Sequence, residues 1–305
     1  MYLVFLLYAL FASTFTISKT ALNYAEPFFL IGTRMIAAGL FMLVYEWFRS
    51  GRKLAISKTV LLQTALLGFV NIYVTNACEF YGLKHLTSFK TCFIYSLSPF
   101  LSALFSYFLL SEKMTRKKWI GFAVGFMGFL PILAISQEGD ETIAHLAVIS
   151  WPEISVITAA VCSVYGWILL GQAVRTHGLS LFTVNGLSML FGGILALGHS
   201  WTVETWDPFP YSAFMPYLEC TIALLVVSNL LAYNLYGYLL RSYTATFMSF
   251  AGFLTPLFTA LFGWFFLGEY VTLPFYISAL IVFTGLYLFH QEELKSGYLV
   301  QTTTS

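Results

Sequence analysis

Charge is what this sequence has least of. Of its 305 residues only 10% are Asp, Glu, Lys or Arg, against 59% hydrophobic, which leaves too little polar surface to cover a water-soluble globule of this size. The chain reads as a membrane protein with the lipid bilayer as its first partner. A net charge of +1 and the lack of any basic tract exclude a nucleic-acid partner, whose phosphates need a concentrated positive patch. Cysteine is sparse too. Cys78, Cys92, Cys162 and Cys220 all lie in apolar segments, with neither CxxC spacing nor neighbouring histidines, so no metal site is expected and they read as small buried hydrophobes. Also missing are HExxH, GxSxG and a phosphate-cradling glycine loop. The expectation is a non-enzyme without cofactor or metal, and without an ATP site, so that any transport must run on gradients or exchange.

What fills the sequence instead is apolar runs near twenty residues, long enough to cross a ~30 Å hydrocarbon core at about 1.5 Å per residue. About ten are expected by that length rule. They cover 2–22, 28–48, 60–82, 89–110 and 119–135 in the first half, then 154–174, 181–198, 214–239, 245–267 and 271–289. The first lacks a positively charged start and runs on past signal-peptide length, so it reads as a span. The breaks are short except for the polar 136–153 segment. With the N-terminus cytoplasmic, Arg49, Arg52, Lys53, Lys58, Lys113, Arg116, Lys117, Lys118, Arg175, Arg241 and Lys295 fall inside, as the positive-inside rule requires.

One stretch occurs twice. LSPFLSALFSYFLLSEKMT from Leu97 to Thr115 aligns without a gap on LTPLFTALFGWFFLGEYVT from Leu254 to Thr272, pairing Pro99 with Pro256 and Glu112 with Glu269. Tyr81, Leu83, Thr87 and Phe93 fall on Tyr238, Leu240, Thr244 and Phe250 at the same offset. A constant offset of about half the chain marks an internal duplication. Five spans per half is an odd number, so the second copy enters from the opposite face. The expected fold is an all-α integral membrane protein of ten transmembrane helices in two inverted five-helix repeats. Its parts are 1–135, an extracytoplasmic loop 136–153, 154–290, and a cytoplasmic tail 291–305.

The duplicated Pro-to-Glu motif, followed in the first half by WIGFAVGFMGFLPI from Trp119, resembles the EamA family of the drug/metabolite transporter superfamily over essentially the full chain. The resemblance implies a ten-helix carrier of small organic solutes around a central cavity, with the fifth and tenth helices more peripheral. It also implies a setting in a bacterial inner membrane and a cargo among amino acids, nucleotide-linked metabolites, drugs or S-adenosylmethionine. Ser278 stands where Gly121 does in the other copy, so close packing of the tenth helix is not expected from that position.

Charges inside spans cost about 2.5–3.5 kcal/mol each on insertion scales and by default mark a pathway or a pair. Lys19, Arg34, Glu79, Lys90 and Glu219 converge towards one side under the chosen orientation. One reading lets Lys19 and Lys90 snorkel to headgroups while Arg34 and Glu79 neutralise each other. The other makes Arg34, Glu79, Lys90 and Glu219 a recognition set in which an arginine forks onto a carboxylate and a glutamate accepts a cation. Asn71, Thr75 and Glu79 recur every four residues as a polar stripe flanked by Tyr73 and Asn76. Asn229, Tyr233 and Tyr236 form its counterpart in the second half, and Asn can serve either cargo or interhelical bonding. Tyr95 and Ser98 are further cavity candidates. Trp167, with Phe15 and Tyr165, offers a flat face for a base or cation, against the alternative of core packing. Glu112 and Glu269 are expected to be structural.

The substrate-binding set is therefore Arg34, Glu79, Lys90, Asn71, Asn76, Tyr95, Trp167, Glu219, Asn229 and Tyr233. The function expected is alternating-access transport of a small polar or zwitterionic metabolite, an S-adenosylmethionine-like compound or an amino acid, including by exchange. The alternatives are an exporter of hydrophobic drug-like compounds and a non-transporting membrane scaffold.

Overall fold

The structure, a computed structural model, describes residues 2–50, 57–109, 114–133, 149–177, 180–239, 242–243 and 245–295. Outside them lie Glu112 and Lys113, most of the expected 136–153 loop, the tail beyond 295 and, within a described helix, the side chain of Tyr233. Every regular element among the described residues is a helix, with no strand and one isolated antiparallel bridge between Ala25 and Tyr211. In chain order the helices are α1 (Tyr2–Ala21), α2 (Pro27–Arg49), α3 (Lys58–Leu67), α4 (Thr75–His85), α5 (Ser88–Tyr95), α6 (Ser98–Leu109), α7 (Arg116–Met127), α8 (Leu130–Leu133), α9 (Trp151–His177) and α10 (Leu181–Val203). They continue with α11 (Phe214–Leu224), α12 (Tyr233–Leu239), α13 (Ala245–Ala251), α14 (Leu254–Phe262) and α15 (Leu273–Lys295).

Two of the joints are not loops. Between α3 and α4 the backbone continues as a π-helix over Gly68–Val74, and between α11 and α12 over Leu225–Ala232. Gly68 and Leu225 are separated by the same interval as Pro99 and Pro256. The wider i→i+5 turn leaves carbonyls short of their usual partner, and Thr75 supplies one, its hydroxyl donating to Val70 O at 3.0 Å.

Seven helical stretches among the described residues are long and apolar enough to span a membrane. The expected fourth, fifth and ninth spans are instead interrupted. The fourth breaks between α5 and α6, just before Pro99, the ninth between α13 and α14, just before Pro256, and the fifth at Gly128 between α7 and α8. A proline in a helix cannot donate its backbone hydrogen bond and crowds the preceding turn. Ser98 closes the first break by donating to Tyr95 O at 2.6 Å.

The chain divides into two compact units. One comprises Met1–Thr16, His85–Ile157 and Val227–Ser305. Its core is aromatic, with Phe89, Phe93, Phe100, Phe129, Phe253 and Phe275 buried around Val282 and Leu286. Within it α7 and α15 touch backbone to backbone. A methyl group added at Gly121 would sit 2.5 Å from Phe289 N, and one added at Gly285 would collide with the backbone of Gly125. Close packing of the last helix is thus present after all. It is carried by Gly285, about two turns beyond Ser278.

The other unit comprises Ile17–Lys84 and Thr158–Val226. Here α2 and α10 cross closely, and a methyl added at Gly39 would come within 2.8 Å of Gly186 O. Glu204, at the end of α10, caps the start of α2, its two carboxylate oxygens accepting from Phe28 N (2.6 Å) and Phe29 N (3.0 Å). A carboxylate at a helix N-terminus satisfies orphan amides and complements the dipole.

Candidate functional site

The second unit holds a charge where none is easily kept. Arg34 on α2 is 5% exposed. Its Nη2 donates to Asn76 Oδ1 at 2.8 Å, Asn76 Nδ2 donates to Ile72 O at 2.7 Å, and the guanidinium carbon stands 5.5 Å from the centre of the Phe80 ring. Asn76 and Phe80 are four apart on α4 and so share a face. The amide of Asn76 is oriented by a carbonyl of the π-helical turn and in turn orients the arginine. A hydrogen bond to a charged group contributes about 1.5–3 kcal/mol and a cation–π contact about 0.5–2 kcal/mol, together comparable with the insertion cost of the charge. Glu79, half-buried one residue before Phe80, lies within reach of the Arg34 charge. The pair can engage a zwitterion, the guanidinium taking a carboxylate and the carboxylate an ammonium.

The polar stripe read from the sequence does not survive as one line. The π-turn shifts the register between Asn71 and Thr75. Thr75 is buried and committed to the backbone, whereas Asn71 presses against Gly166 of α9, where any Cβ would lie 2.5 Å or less from the amide. Trp167, the next residue, is 41% exposed, so it is not core filling. Tyr165, two residues earlier, projects from the opposite side of α9. Phe15 is buried and packs edge-on against Tyr95 in the first unit, with ring centres 6.0 Å apart. Glu219 lies on the exposed face of α11. Lys19 donates to Leu83 O at 2.5 Å, capping the C-terminal end of α4 rather than reaching for headgroups.

In the first unit the other candidate cation is matched internally. Lys90 Nζ sits 2.7 Å from Glu153 Oε1, both side chains nearly buried. Glu153 Oε2 also accepts from Ser150 N (2.7 Å) and Ser150 Oγ (2.9 Å), the carboxylate half of a capping box at the start of α9. Glu269 bonds Ser88 twice, at 2.7 Å to both its N and its Oγ, so this motif carboxylate caps the N-terminus of α5. The dipole that Glu269 complements therefore belongs to a helix other than its own, consistent with its expected structural role. Asn229 is buried within the second π-turn.

Three contributors escaped the sequence reading. Glu153 was legible as S-x-x-E in the Ser150–Glu153 spacing. Phe80 was legible as an aromatic one turn beyond Asn76. His199, whose Nδ1 is 2.6 Å from Tyr73 Oη and whose ring lies 4.1 Å from that of Phe28, carries no local signal. Among the described residues no three His, Cys, Asp or Glu side chains gather to hold a metal.

Long apolar helices packed through glycines, with a hydrogen-bonded arginine buried among them, define a multi-pass helical membrane protein. The profile of the EamA-like transporter family matches residues 1–134 and 150–290. The chain belongs to this family of transporters. A protein of Chlamydia muridarum named S-adenosylmethionine/S-adenosylhomocysteine transporter is 35% identical over 99% of this chain and 94% of its own length. One of the same name from Chlamydia trachomatis serovar L2 is 36% identical over 98% and 91%. A chain of known crystal structure superposes with a TM-score of 0.63 at 15% identity, covering 97% of this chain and 96% of that one, a likeness of fold alone.

Proposed function

We propose that this transporter carries S-adenosylmethionine and S-adenosylhomocysteine, exchanging one for the other by alternating access. The observation that carries the reading is Arg34, buried, oriented by Asn76 and neighboured by Glu79, in a chain whose near-full-length relatives bear that transporter name. Both compounds end in an α-amino acid. Arg34 takes its carboxylate and Glu79 its ammonium, with Asn71 and Trp167 further along. Lys90 has its charge taken up by Glu153 and is left out of this set.

The three interrupted helices α5/α6, α7/α8 and α13/α14 each count as one crossing, bringing the seven long spans to ten. The matched π-turns and matched proline breaks support reading them as two five-helix repeats of opposite orientation, 1–135 and 154–290, joined by an outer loop 136–153. The profile match in two blocks, 1–134 and 150–290, supports a division into two halves. An odd number of crossings per repeat, with the positive residues inside, puts both termini and the 291–305 tail in the cytoplasm of a bacterial cell, the carrier sitting in its inner membrane.

Thermal unfolding of the purified protein in detergent tests the cargo. A ligand that binds only the folded state stabilises it by about 2.7 kcal/mol at a hundred times its Kd. S-adenosylmethionine and S-adenosylhomocysteine both raise the midpoint, and Arg34→Ala removes both shifts. Stabilisation by amino acids or apolar drugs, with neither of these compounds active, would overturn the assignment.

A further inference from the structure

We propose that the ring of Trp167 seats the sulfur centre of the cargo, as a sulfonium in S-adenosylmethionine and as a thioether in S-adenosylhomocysteine. The inference rests on the cargo reading above and adds the element that lets one site handle both exchange partners.

Trp167 has an exposure that its place on α9 does not account for by lipid. Ser163, Val164 and Leu170, its neighbours at one helical turn, are all buried. The exposed residues of this part of the helix, Thr158 and Gln172, stand nine residues before and five after it, which on a 3.6-residue turn puts them on the far side. A large ring 41% exposed between buried neighbours borders open space. Gly171 makes the same point independently. It lies one turn further along the same side, and a methyl group added there would meet nothing within 4 Å.

The position of that space relative to the charged group follows from Asn71. Its side chain packs on Gly166, immediately before Trp167, and it lies five residues before Asn76 on the segment that holds Arg34, a rise of roughly 7 Å. Side chains on a helix lean towards its N-terminus. A cargo whose carboxylate meets Arg34 therefore runs its methionine chain along this segment, and the sulfur follows four bonds after the carboxylate carbon.

The two cargoes differ by one methyl group and one positive charge, both on that sulfur. A carboxylate there would bind the sulfonium strongly and gain nothing from the thioether, so the product could not displace the substrate. An aromatic face discriminates gently. Cation–π attraction is worth roughly two- to thirtyfold in affinity, and a neutral sulfur against a ring still gains up to about tenfold. The ratio that remains is small enough for exchange in either direction.

The test is competition against labelled S-adenosylmethionine, using wild type, Trp167→Phe and Trp167→Leu, with S-adenosylmethionine, S-adenosylhomocysteine, methionine and adenosine as competitors. Trp167→Leu weakens S-adenosylmethionine by up to about thirtyfold and S-adenosylhomocysteine by less, about tenfold at most. Trp167→Phe, which keeps a weaker π face, falls between wild type and Trp167→Leu for the sulfonium and preserves the protein should the leucine variant misfold. An equal loss for both cargoes and for adenosine would show the ring stacking on the base and overturn the proposal, as would no loss in either variant. If wild type binds neither sulfur compound, the cargo reading itself has failed, and this inference falls with it.

Discussion

Of the three π-helical segments among the described residues, Gly68–Val74, Leu225–Ala232 and Gly263–Leu267, the first two stand at the repeat interval and differ in chemistry. At Gly68–Val74 the following residues are Thr75, bonded to Val70 O, and Asn76, bonded to Ile72 O and holding Arg34. At Leu225–Ala232 the positions at the repeat interval are Ala232 for Thr75, Tyr233 for Asn76 and Tyr236 for Glu79, with the Tyr236 ring 6.3 Å from that of Phe11. The first turn leads into residues that hold a buried arginine, while its counterpart buries Asn229 and leads into tyrosines at the positions of Asn76 and Glu79. A widened turn persists where the side chains that satisfy it have changed, so the geometry does not depend on them. On the proposed function, specificity is expected to come from the α3–α4 segment and α2.

The largest test of this asymmetry removes the charge. Arg34→Ala lowers apparent affinity for S-adenosylmethionine by about 10- to 150-fold, the worth of a charge-assisted hydrogen bond, while Tyr236→Phe leaves it within about twofold. Uptake kinetics in cells or vesicles measure both, and equal losses would place recognition on both turns. Asn76→Ala is intermediate. Arg34 keeps its charge but loses its orienting partner, and KM rises about three- to tenfold with a smaller change in the maximal rate. Thr75→Ala has the smallest effect. It removes one neutral hydrogen bond, lowering stability by about 1 kcal/mol in a denaturation measurement and leaving uptake affinity unchanged. A change in affinity from Thr75→Ala would mean that the turn itself, and not the residues it displays, reads the cargo.

Much of the architecture was legible because lipid imposes simple rules. Spans follow from apolar length, and the duplication from one offset shared by Pro99 with Pro256 and Glu112 with Glu269. The interruptions of the fourth and ninth spans were signalled by those prolines. The π-turns were not, since nothing in GFVNIYV or LVVSNLLA departs from an ordinary helical sequence, and the register shift that separates Thr75 from Asn71 follows from them. Arg34 with Glu79 was visible as a charged pair of spans. The Arg34–Asn76–Phe80 arrangement was not, because it depends on how α2 lies across α4. The carboxylates' partners were not legible. Glu153, read as a loop residue, neutralises Lys90, and Glu269, expected to be structural, is so by capping α5. In each case the partner lies far along the chain, where local spacing carries no information.

The most direct measurement is entry of labelled S-adenosylmethionine into proteoliposomes with and without S-adenosylhomocysteine trapped inside. The account predicts faster entry into the loaded vesicles, abolished by Arg34→Ala and retained by Thr75→Ala. Entry at the same rate into loaded and empty vesicles, or acceleration that survives Arg34→Ala, would contradict it.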